Sequence, residues 1–130
     1  MSDRMRIGEL AEKAGVTPRT IRYYENLGLM GCEREGKGFR YYSAEHLVRL
    51  QKIDNLKKLG LSLEEINEVI HLYFSDPTGF QGKQKLLTIL QQHLAETEEK
   101  LKALEQFRSE LQINIANVQQ HLEQIAKAQN

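Results

Sequence analysis

The sequence predicts a mainly α-helical fold in which a helix-turn-helix with a small β-hairpin wing precedes a long C-terminal coiled-coil helix. Two short helical segments lie close together near the N-terminus, and a glycine turn flanked by strand-forming residues follows them. A 3.5-residue apolar repeat fills the last third of the chain. We expect residues 1–75 to form the winged helix-turn-helix domain, 76–82 a linker loop and 83–130 the coiled-coil helix.

The helix-turn-helix is predicted from the spacing of apolar and capping residues. Apolar residues recur at helical intervals over residues 7–14, and Gly15 supplies a C-terminal stop. Thr17 followed by Pro18 is typical of an N-cap and a first helical position. This pattern predicts a second helix that ends at Gly28.

The wing is predicted where the composition changes. Residues 34–38 include two glycines, and residues 39–42 are rich in strand formers, which together indicate a β-hairpin. Ser43 then predicts the N-cap of a third helix, which is closed by Gly60.

A fourth helix is predicted from a capping box. Ser62 is followed three residues later by Glu65, a spacing typical of helix N-termini. The segment 75–79, which contains proline and glycine, is expected to end this helix.

The C-terminal segment has the repeat of a coiled coil. Its spacings alternate three and four, and ten of the twelve seam positions are apolar. The seam consists of Leu87, Leu90, Leu94, Thr97, Leu101, Leu104, Arg108, Leu111, Ile115, Val118, Leu122 and Ile125. Such a seam needs a second copy to cover it, unless the chain turns back near Asn114–Asn117. We favour a homodimer that pairs through the apolar residues from Leu87 to Leu122.

The charge distribution is uneven although the net charge is zero. Residues 1–60 hold twelve Lys and Arg against eight Asp and Glu, whereas residues 61–130 hold six against ten. A basic first half favours an anionic partner.

Several classes of protein do not fit the sequence. It shows no signal-peptide core and no membrane-length apolar run, so we expect a cytoplasmic protein without a membrane partner. It has no phosphate-binding glycine motif, no nucleophile with a base and no paired carboxylates in a predicted cleft, so we do not expect an enzyme.

The second helix and the wing hold the candidate DNA-binding residues. Arginines near the start of such a helix reach guanine edges or phosphates, and hydroxyl groups bind phosphates. A solvated helix face is the alternative, but the basic and aromatic wing that follows favours nucleic acid. The candidates are Thr17, Arg19, Thr20, Arg22, Tyr23 and Tyr24 on the helix, with Arg34, Lys37, Phe39, Arg40 and Tyr42 on the wing.

Four runs in fixed order resemble the N-terminal domain of the MerR family of bacterial transcriptional regulators. They are Ile7-Gly8-Glu9-Leu10-Ala11, Thr20-Ile21-Arg22-Tyr23-Tyr24-Glu25, Gly28-Leu29 and Gly38-Phe39-Arg40-Tyr41-Tyr42, and the resemblance covers about residues 5–75. It implies that the second helix enters the major groove and that the wings contact the DNA backbone. It also implies a second wing with Lys57 and Lys58, and an antiparallel coiled coil between two subunits.

The resemblance implies a regulator that binds a pseudo-palindromic promoter operator as a homodimer and distorts the DNA, with RNA polymerase as a further partner. The sequence does not identify an effector. A ligand-independent repressor or architectural DNA binder, a thiol-based stress sensor and a coiled-coil adaptor stay open as alternatives.

Metal binding and redox chemistry depend on few residues. Metal sensors of the family carry cysteines near the start of the long helix and beyond it, but this sequence has none after Cys32. The four histidines form no ligand pair, so we expect no metal and no cofactor. We favour a purely structural role for Cys32 at the entry to the hairpin, and a redox switch is the alternative, since the basic residues near Cys32 are expected to favour its thiolate.

Overall fold

The computed structural model describes residues 4–36 and 38–129. Five helices and one two-stranded antiparallel sheet confirm the predicted class. In chain order they are α1 (Ile7–Ala14), α2 (Pro18–Asn26), β1 (Glu33–Glu35), β2 (Phe39–Tyr41), α3 (Ala44–Lys58), α4 (Leu63–Ser75) and α5 (Phe80–Ala128). The chain divides into two compact units, one up to Ile89 and one from Leu90 onward.

Local capping sets the limits of α1 and α2, as the sequence predicts. Gly15 ends α1 in the left-handed region, with a φ of 72°, which glycine adopts without steric cost. Thr17 caps α2, because its hydroxyl oxygen accepts a hydrogen bond from the Thr20 amide at 3.1 Å. Pro18 occupies the first turn of α2. These caps fix the start of α2 relative to α1.

The wing is a short hairpin, and the segment from Arg4 to Arg6, which we call the N-terminal arm, pairs with its end through an isolated β-bridge. Arg34 of β1 pairs with Arg40 of β2 in the antiparallel register. Beyond β2, Tyr42 exchanges two backbone hydrogen bonds with Met5, at 2.7 and 2.8 Å. The sequence did not predict that the N-terminal arm joins the wing, because the two segments are far apart along the chain.

The core of the first unit lies where α1 to α4 meet. Helix α1 packs against α2 and α3, and α3 packs against α4. Burying a large apolar side chain contributes about 1.5–3 kcal/mol, so these contacts dominate the stability of the unit. The largest fully buried side chains are Leu10, Ile21, Leu29, Tyr42, Ile53, Leu56, Ile66, Val69 and Ile70.

Helices α3 and α4 begin at the predicted serines. At Ser62 both hydrogen bonds of the predicted capping box form, since Ser62 Oγ accepts from the Glu65 amide and Glu65 Oε1 accepts from the Ser62 amide. At Ser43 a histidine takes the place of the glutamate in the capping box. His46 Nδ1 accepts a hydrogen bond from the Ser43 amide at 3.0 Å.

Helix α5 begins at Phe80, three residues before the predicted start of the coiled-coil helix at residue 83. The reason is a polar turn in which Asp76 Oδ2 accepts from the Gln81 amide at 3.1 Å and Thr78 Oγ1 accepts from the Phe80 amide at 3.2 Å. Gly82 therefore lies inside the helix, where glycine is normally unfavourable. A Cβ atom there would stand 2.8 Å from Tyr73 Cα, so glycine permits the close approach of α4 and α5.

The second unit consists of the remainder of α5, and its apolar seam is uncovered. Leu94, Leu101, Leu104 and Ile115 are each more than half exposed. The helix continues through Asn114–Asn117 without a turn, so the chain does not cover its own seam there. None of the helices in the described part of the chain has the length and apolarity to cross a membrane.

Candidate nucleic-acid interface

The outer face of α2 presents most of the predicted reader residues. Ile21 and Tyr24, three residues apart, turn into the core, which is the spacing of one helix face. On the opposite face Arg19 and Arg22 are exposed and Tyr23 is half exposed. This face offers two guanidinium groups and a phenol.

Thr17 and Thr20 stand together at the start of α2. Their hydroxyl oxygens are 3.0 Å apart, and the Thr17 oxygen also accepts the Thr20 amide. Thr17 is exposed and Thr20 is half-buried. Both hydroxyls therefore take part in the cap that orients the first turn of the helix.

Tyr24 does not belong to the outer face, which corrects the prediction that it contacts DNA. Its side chain is 5 % exposed, and its hydroxyl accepts a hydrogen bond from Lys57 Nζ at 3.3 Å. A tyrosine on the inner face of an amphipathic helix buries its ring and keeps its hydroxyl paired. Lys57 is thus held at the end of α3 beside α2, while the neighbouring Lys58 pairs with Asp54 at 3.0 Å.

Tyr42 is also a core residue, which corrects a second predicted DNA contact. Its side chain is fully buried, and its hydroxyl donates a hydrogen bond to Glu25 Oε1 at 3.1 Å. Burial and this carboxylate raise the pKa of Tyr42 to about 12. The same carboxylate lies 3.7 Å from Arg40 Nη1. Glu25 therefore fixes both the base of the wing and one of its arginines.

The wing is exposed and basic. Arg34 and Arg40 are directly opposed across the hairpin, an unfavourable arrangement of like charges unless an anion lies near them. Phe39 is 64 % exposed. Lys37, the remaining predicted wing residue, lies outside the described residues.

One cleft lies between α2 and the wing. Arg22 of α2 and Arg40 of β2 line it, together with Gly38, Phe39 and Ile7. Its sixth lining residue is Arg6, which the sequence reasoning missed. Arg4, Met5 and Arg6 alternate polar, apolar and polar, but three residues are too few to predict a strand, so the sequence holds no sufficient signal for Arg6.

The N-terminal arm lies against the wing through two cation–π contacts. The Arg4 guanidinium lies 4.4 Å from the Tyr41 ring centroid, and the Arg6 guanidinium lies 4.8 Å from the Phe39 ring centroid. Arg4 and Arg6 therefore place positive charge next to the wing, which the family resemblance predicts to contact the DNA backbone.

Cys32 does not have the expected electrostatic surroundings. Burial raises the pKa of its thiol, and a hydrogen bond with Glu25 and the charge of that carboxylate raise it further. Arg40 and Arg34 act in the opposite direction but are outweighed. The expectation that basic neighbours favour the thiolate is therefore wrong, because Glu25 was not foreseen beside Cys32.

The predicted dimerisation residues all lie on α5. Leu90 is half-buried within its own chain, whereas the others are about half exposed or more. The exposed ones are Leu87, Leu94, Leu101, Leu104, Leu111, Ile115, Val118 and Leu122. These side chains form an exposed apolar stripe along α5, which Thr97 and Arg108 interrupt. Within the described residues, His, Cys, Asp and Glu nowhere gather in threes at a spacing that would hold a metal ion.

Comparison with known families matches most of the chain. A family described as "MerR HTH family regulatory protein" matches residues 5–72, and one described as "MerR, DNA binding" matches residues 47–113. The two matches together include α2, the wing and α5 as far as residue 113.

Individual relatives agree with the family match. The HTH-type transcriptional regulator ZntR of Escherichia coli K12 is 42 % identical over 108 residues, which cover 82 % of this chain and 75 % of ZntR. The regulator HmrR of Rhizobium leguminosarum bv. viciae is 34 % identical over 108 residues, covering 83 % and 81 %. Among solved structures, the regulator PbrR691 of Ralstonia metallidurans CH34, in complex with lead(II), superposes with a TM-score of 0.69 at 33 % identity, covering 82 % and 81 %.

Proposed function

The chain belongs to the MerR family of helix-turn-helix regulatory proteins, and from this membership we propose that it binds a pseudo-palindromic promoter operator as a homodimer. It is a DNA-binding transcriptional regulator of the MerR type. The family consists of such regulators rather than enzymes, and we assign no catalytic activity to this chain.

The observation that carries the docking proposal is the cleft shared by the second helix and the wing. Arg22 and Arg40 come from different elements yet line the same cleft. A helix in the major groove and a wing on the adjacent backbone would present their basic groups to DNA in this way. In this arrangement Arg19 and Tyr23 face the groove, while Arg34 and Arg40 hold phosphates.

Phosphate and base contacts have separate roles in the proposal. Lys57 and Lys58, at the end of α3, supply further positive charge for the backbone. Thr17 and Thr20 orient the start of α2. Phosphate contacts fix the position of the protein, and base contacts from α2 supply the sequence preference.

The exposed stripe of α5 supports the homodimer. A regular apolar seam in water is stabilised when a second helix covers it. A two-fold dimer places two recognition helices on inverted half-sites, which explains why the operator would be pseudo-palindromic. We place the two helices antiparallel, as in the family.

The regulatory step is a distortion of promoter DNA that aids RNA polymerase. Bending a site of this length costs on the order of 1–6 kcal/mol, which the helix and wing contacts must offset. An effector would act by favouring the dimer conformation that binds distorted DNA.

Selection of bound fragments from genomic DNA tests this function. We expect inverted half-sites to be enriched and their affinity to fall steeply as salt rises, because phosphate contacts release counterions. Scrambling the half-sites should weaken binding strongly. Enrichment of unrelated sequences, or an affinity that does not depend on salt, would contradict the proposal. Either result would favour the alternative of a coiled-coil adaptor that binds other proteins.

A further inference from the structure

We infer that Arg6, which lies outside both the helix-turn-helix and the wing, binds a DNA phosphate in the cleft that it shares with Arg22 and Arg40. The inference rests on the proposed function and deepens it, because it adds Arg6 to the interface and names the group that Arg6 recognises.

The backbone holds Arg6 in place. The two hydrogen bonds between Met5 and Tyr42 pair the arm with the end of the wing, and Met5 is buried at 6 % exposure. Side chains alternate between the two faces of an extended segment, so Arg6 points away from the core that Met5 enters. Arg6 is accordingly exposed.

Phe39 orients the Arg6 side chain. The guanidinium carbon lies 4.8 Å from the ring centroid, the distance of a cation–π contact. A stacked guanidinium keeps its edge N–H groups free to donate hydrogen bonds in its own plane. Phe39, although strongly exposed, is thereby a positioning residue for Arg6.

The charges in the cleft favour an anion. Three of its six lining residues are arginines, and none of the six carries a carboxylate. Arg40 is partly compensated by Glu25 at 3.7 Å. Within the described parts of the chain, neither Arg6 nor Arg22 has a carboxylate partner. Guanidinium groups that converge without counter-charge are stabilised by an oxyanion able to accept several N–H donors.

The start of α1 adds to the same cleft. Arg6 is the N-cap residue of α1, its side chain makes no capping hydrogen bond, and Ile7 of the first turn lines the cleft. The amides of an uncapped first turn carry partial positive charge, which favours an anion beside the three arginines.

The location of the cleft favours a phosphate of DNA over free phosphate. It lies between α2 and the wing, the two elements proposed to contact adjacent parts of one DNA backbone. A phosphodiester presents two unesterified oxygens, enough for two guanidinium groups. Inorganic phosphate has the same chemistry, so the experiment must separate these two sources.

Arg6→Gln and Arg4→Gln make a matched pair for the test. Both side chains extend from the arm and stack on a wing aromatic, but only Arg6 lines the cleft. Binding to an operator duplex is followed by fluorescence anisotropy from about 0.1 M to 1 M salt, a range over which phosphate interactions become much weaker. Circular dichroism verifies that each variant folds.

We expect Arg6→Gln to flatten the slope of log K against log salt by roughly two units per dimer, about 0.9 for each phosphate that is no longer neutralised. At 0.15 M salt this corresponds to about a thirtyfold loss of affinity, which disappears towards 1 M. The loss should be equal on matched and scrambled operators, since a phosphate carries no sequence information. Arg4→Gln should keep the wild-type slope.

A double-mutant cycle tests the role of Phe39. Phe39→Leu should weaken binding when Arg6 is present and have little further effect in Arg6→Gln, because both changes remove the same oriented guanidinium. Additive losses would show that Phe39 does not act through Arg6.

Each outcome separates this inference from the function on which it rests. A wild-type slope in folded Arg6→Gln, or equal losses in both arm variants, overturns the assignment of Arg6 while leaving DNA binding intact. Absence of salt-dependent binding by the wild type overturns the proposed function itself. Inorganic phosphate at constant ionic strength should not displace DNA; displacement from the wild type but not from Arg6→Gln would identify a free-phosphate site instead.

Discussion

The Tyr42 hydroxyl donates a hydrogen bond to Glu25 Oε1 at 3.1 Å, and this contact ties the base of the wing to the recognition helix. Glu25 is the acidic residue of α2, and its side chain is only 12 % exposed. The same carboxylate faces Arg40 and Cys32. Glu25 therefore contributes to the stability of the fold, orients Arg40 and raises the pKa of the thiol.

Removing this hydroxyl should destabilise the protein. Tyr42→Phe leaves a largely buried carboxylate with one donor fewer, and we expect a loss of about 1–2 kcal/mol in the free energy of unfolding. Urea denaturation measures it. The control is Tyr41→Phe, since the Tyr41 hydroxyl makes no hydrogen bond within the described residues. Equal stability of Tyr42→Phe and wild type would show that the hydrogen bond contributes nothing.

The reactivity of Cys32 should depend on Glu25. Because Glu25 raises the pKa of the thiol, Glu25→Gln should lower that pKa and speed alkylation by iodoacetamide at a fixed pH below it. Glutamine retains a hydrogen-bond acceptor for Tyr42. Glu33→Gln, which removes a wing carboxylate that is not among the main causes of the raised Cys32 pKa, is the control. Identical alkylation profiles for wild type and Glu25→Gln would contradict this account.

The thiol-sensor alternative has its own test. With a raised pKa the thiol is mostly protonated near neutral pH and reacts slowly with oxidants. We expect Cys32→Ser to bind operator DNA like the wild type, with or without peroxide. Loss of DNA binding in peroxide by the wild type alone would restore the sensor hypothesis.

The cap of α3 should make stability depend on pH. His46 Nδ1 must be unprotonated to accept the Ser43 amide, and burial lowers the pKa of His46 from 6.5. His46 therefore binds a proton more readily in the unfolded chain than in the folded one. The cap contributes its full stabilisation at pH values above the pKa of His46 in the unfolded chain. This stabilisation is lost as the pH falls from there through the lower pKa of His46 in the folded protein.

A glutamine at position 46 tests this directly. His46→Gln preserves a capping-box acceptor without a titrating group, and it should flatten the fall in denaturation midpoint between about pH 7 and pH 5. His71→Gln changes an exposed histidine on α4 and should keep the wild-type dependence. An unchanged profile in His46→Gln would exclude the cap as its cause.

The seam should control assembly. Leu101→Asp combined with Leu104→Asp places two charges in the stripe. We expect analytical ultracentrifugation to show a monomer, and we expect this monomer to bind DNA poorly. Ile113→Asp is the matched control, because Ile113 is equally exposed on α5 but lies outside the seam. A wild-type monomer, or dissociation by Ile113→Asp alone, would be incompatible with the proposed dimer.

Substitutions on α2, which is proposed to contact bases, and on the wing, which is proposed to contact phosphates, should change DNA binding in different ways. Arg19→Ala should cost about 1–3 kcal/mol on the correct operator and relax preference at one or two base pairs of each half-site. Arg40→Ala should weaken binding to all sequences alike and reduce the salt slope by about one for each phosphate that Arg40 no longer neutralises. Competition with matched and scrambled operators measures both. Loss of specificity in Arg40→Ala, with specificity retained in Arg19→Ala, would reverse the docking.

The sequence by itself determined the helices whose ends depend on neighbouring residues. Thr17 with Pro18, Gly15, and the Ser62–Glu65 box each act within a few residues, so their hydrogen bonds could be predicted locally. The family motifs and the apolar repeat of α5 are local in the same sense, and they identified the class of protein.

The tertiary structure alone decided which polar and aromatic residues face outward. The sequence placed Tyr24 and Tyr42 among the DNA contacts, because a tyrosine ring suits an interface as well as a core. Only the folded structure shows that their hydroxyls pair with Lys57 and Glu25. Arg6 joins Arg22 and Arg40 through a strand pairing that spans more than thirty residues of chain. Contacts at that separation depend on how the helices pack, and no short pattern encodes them.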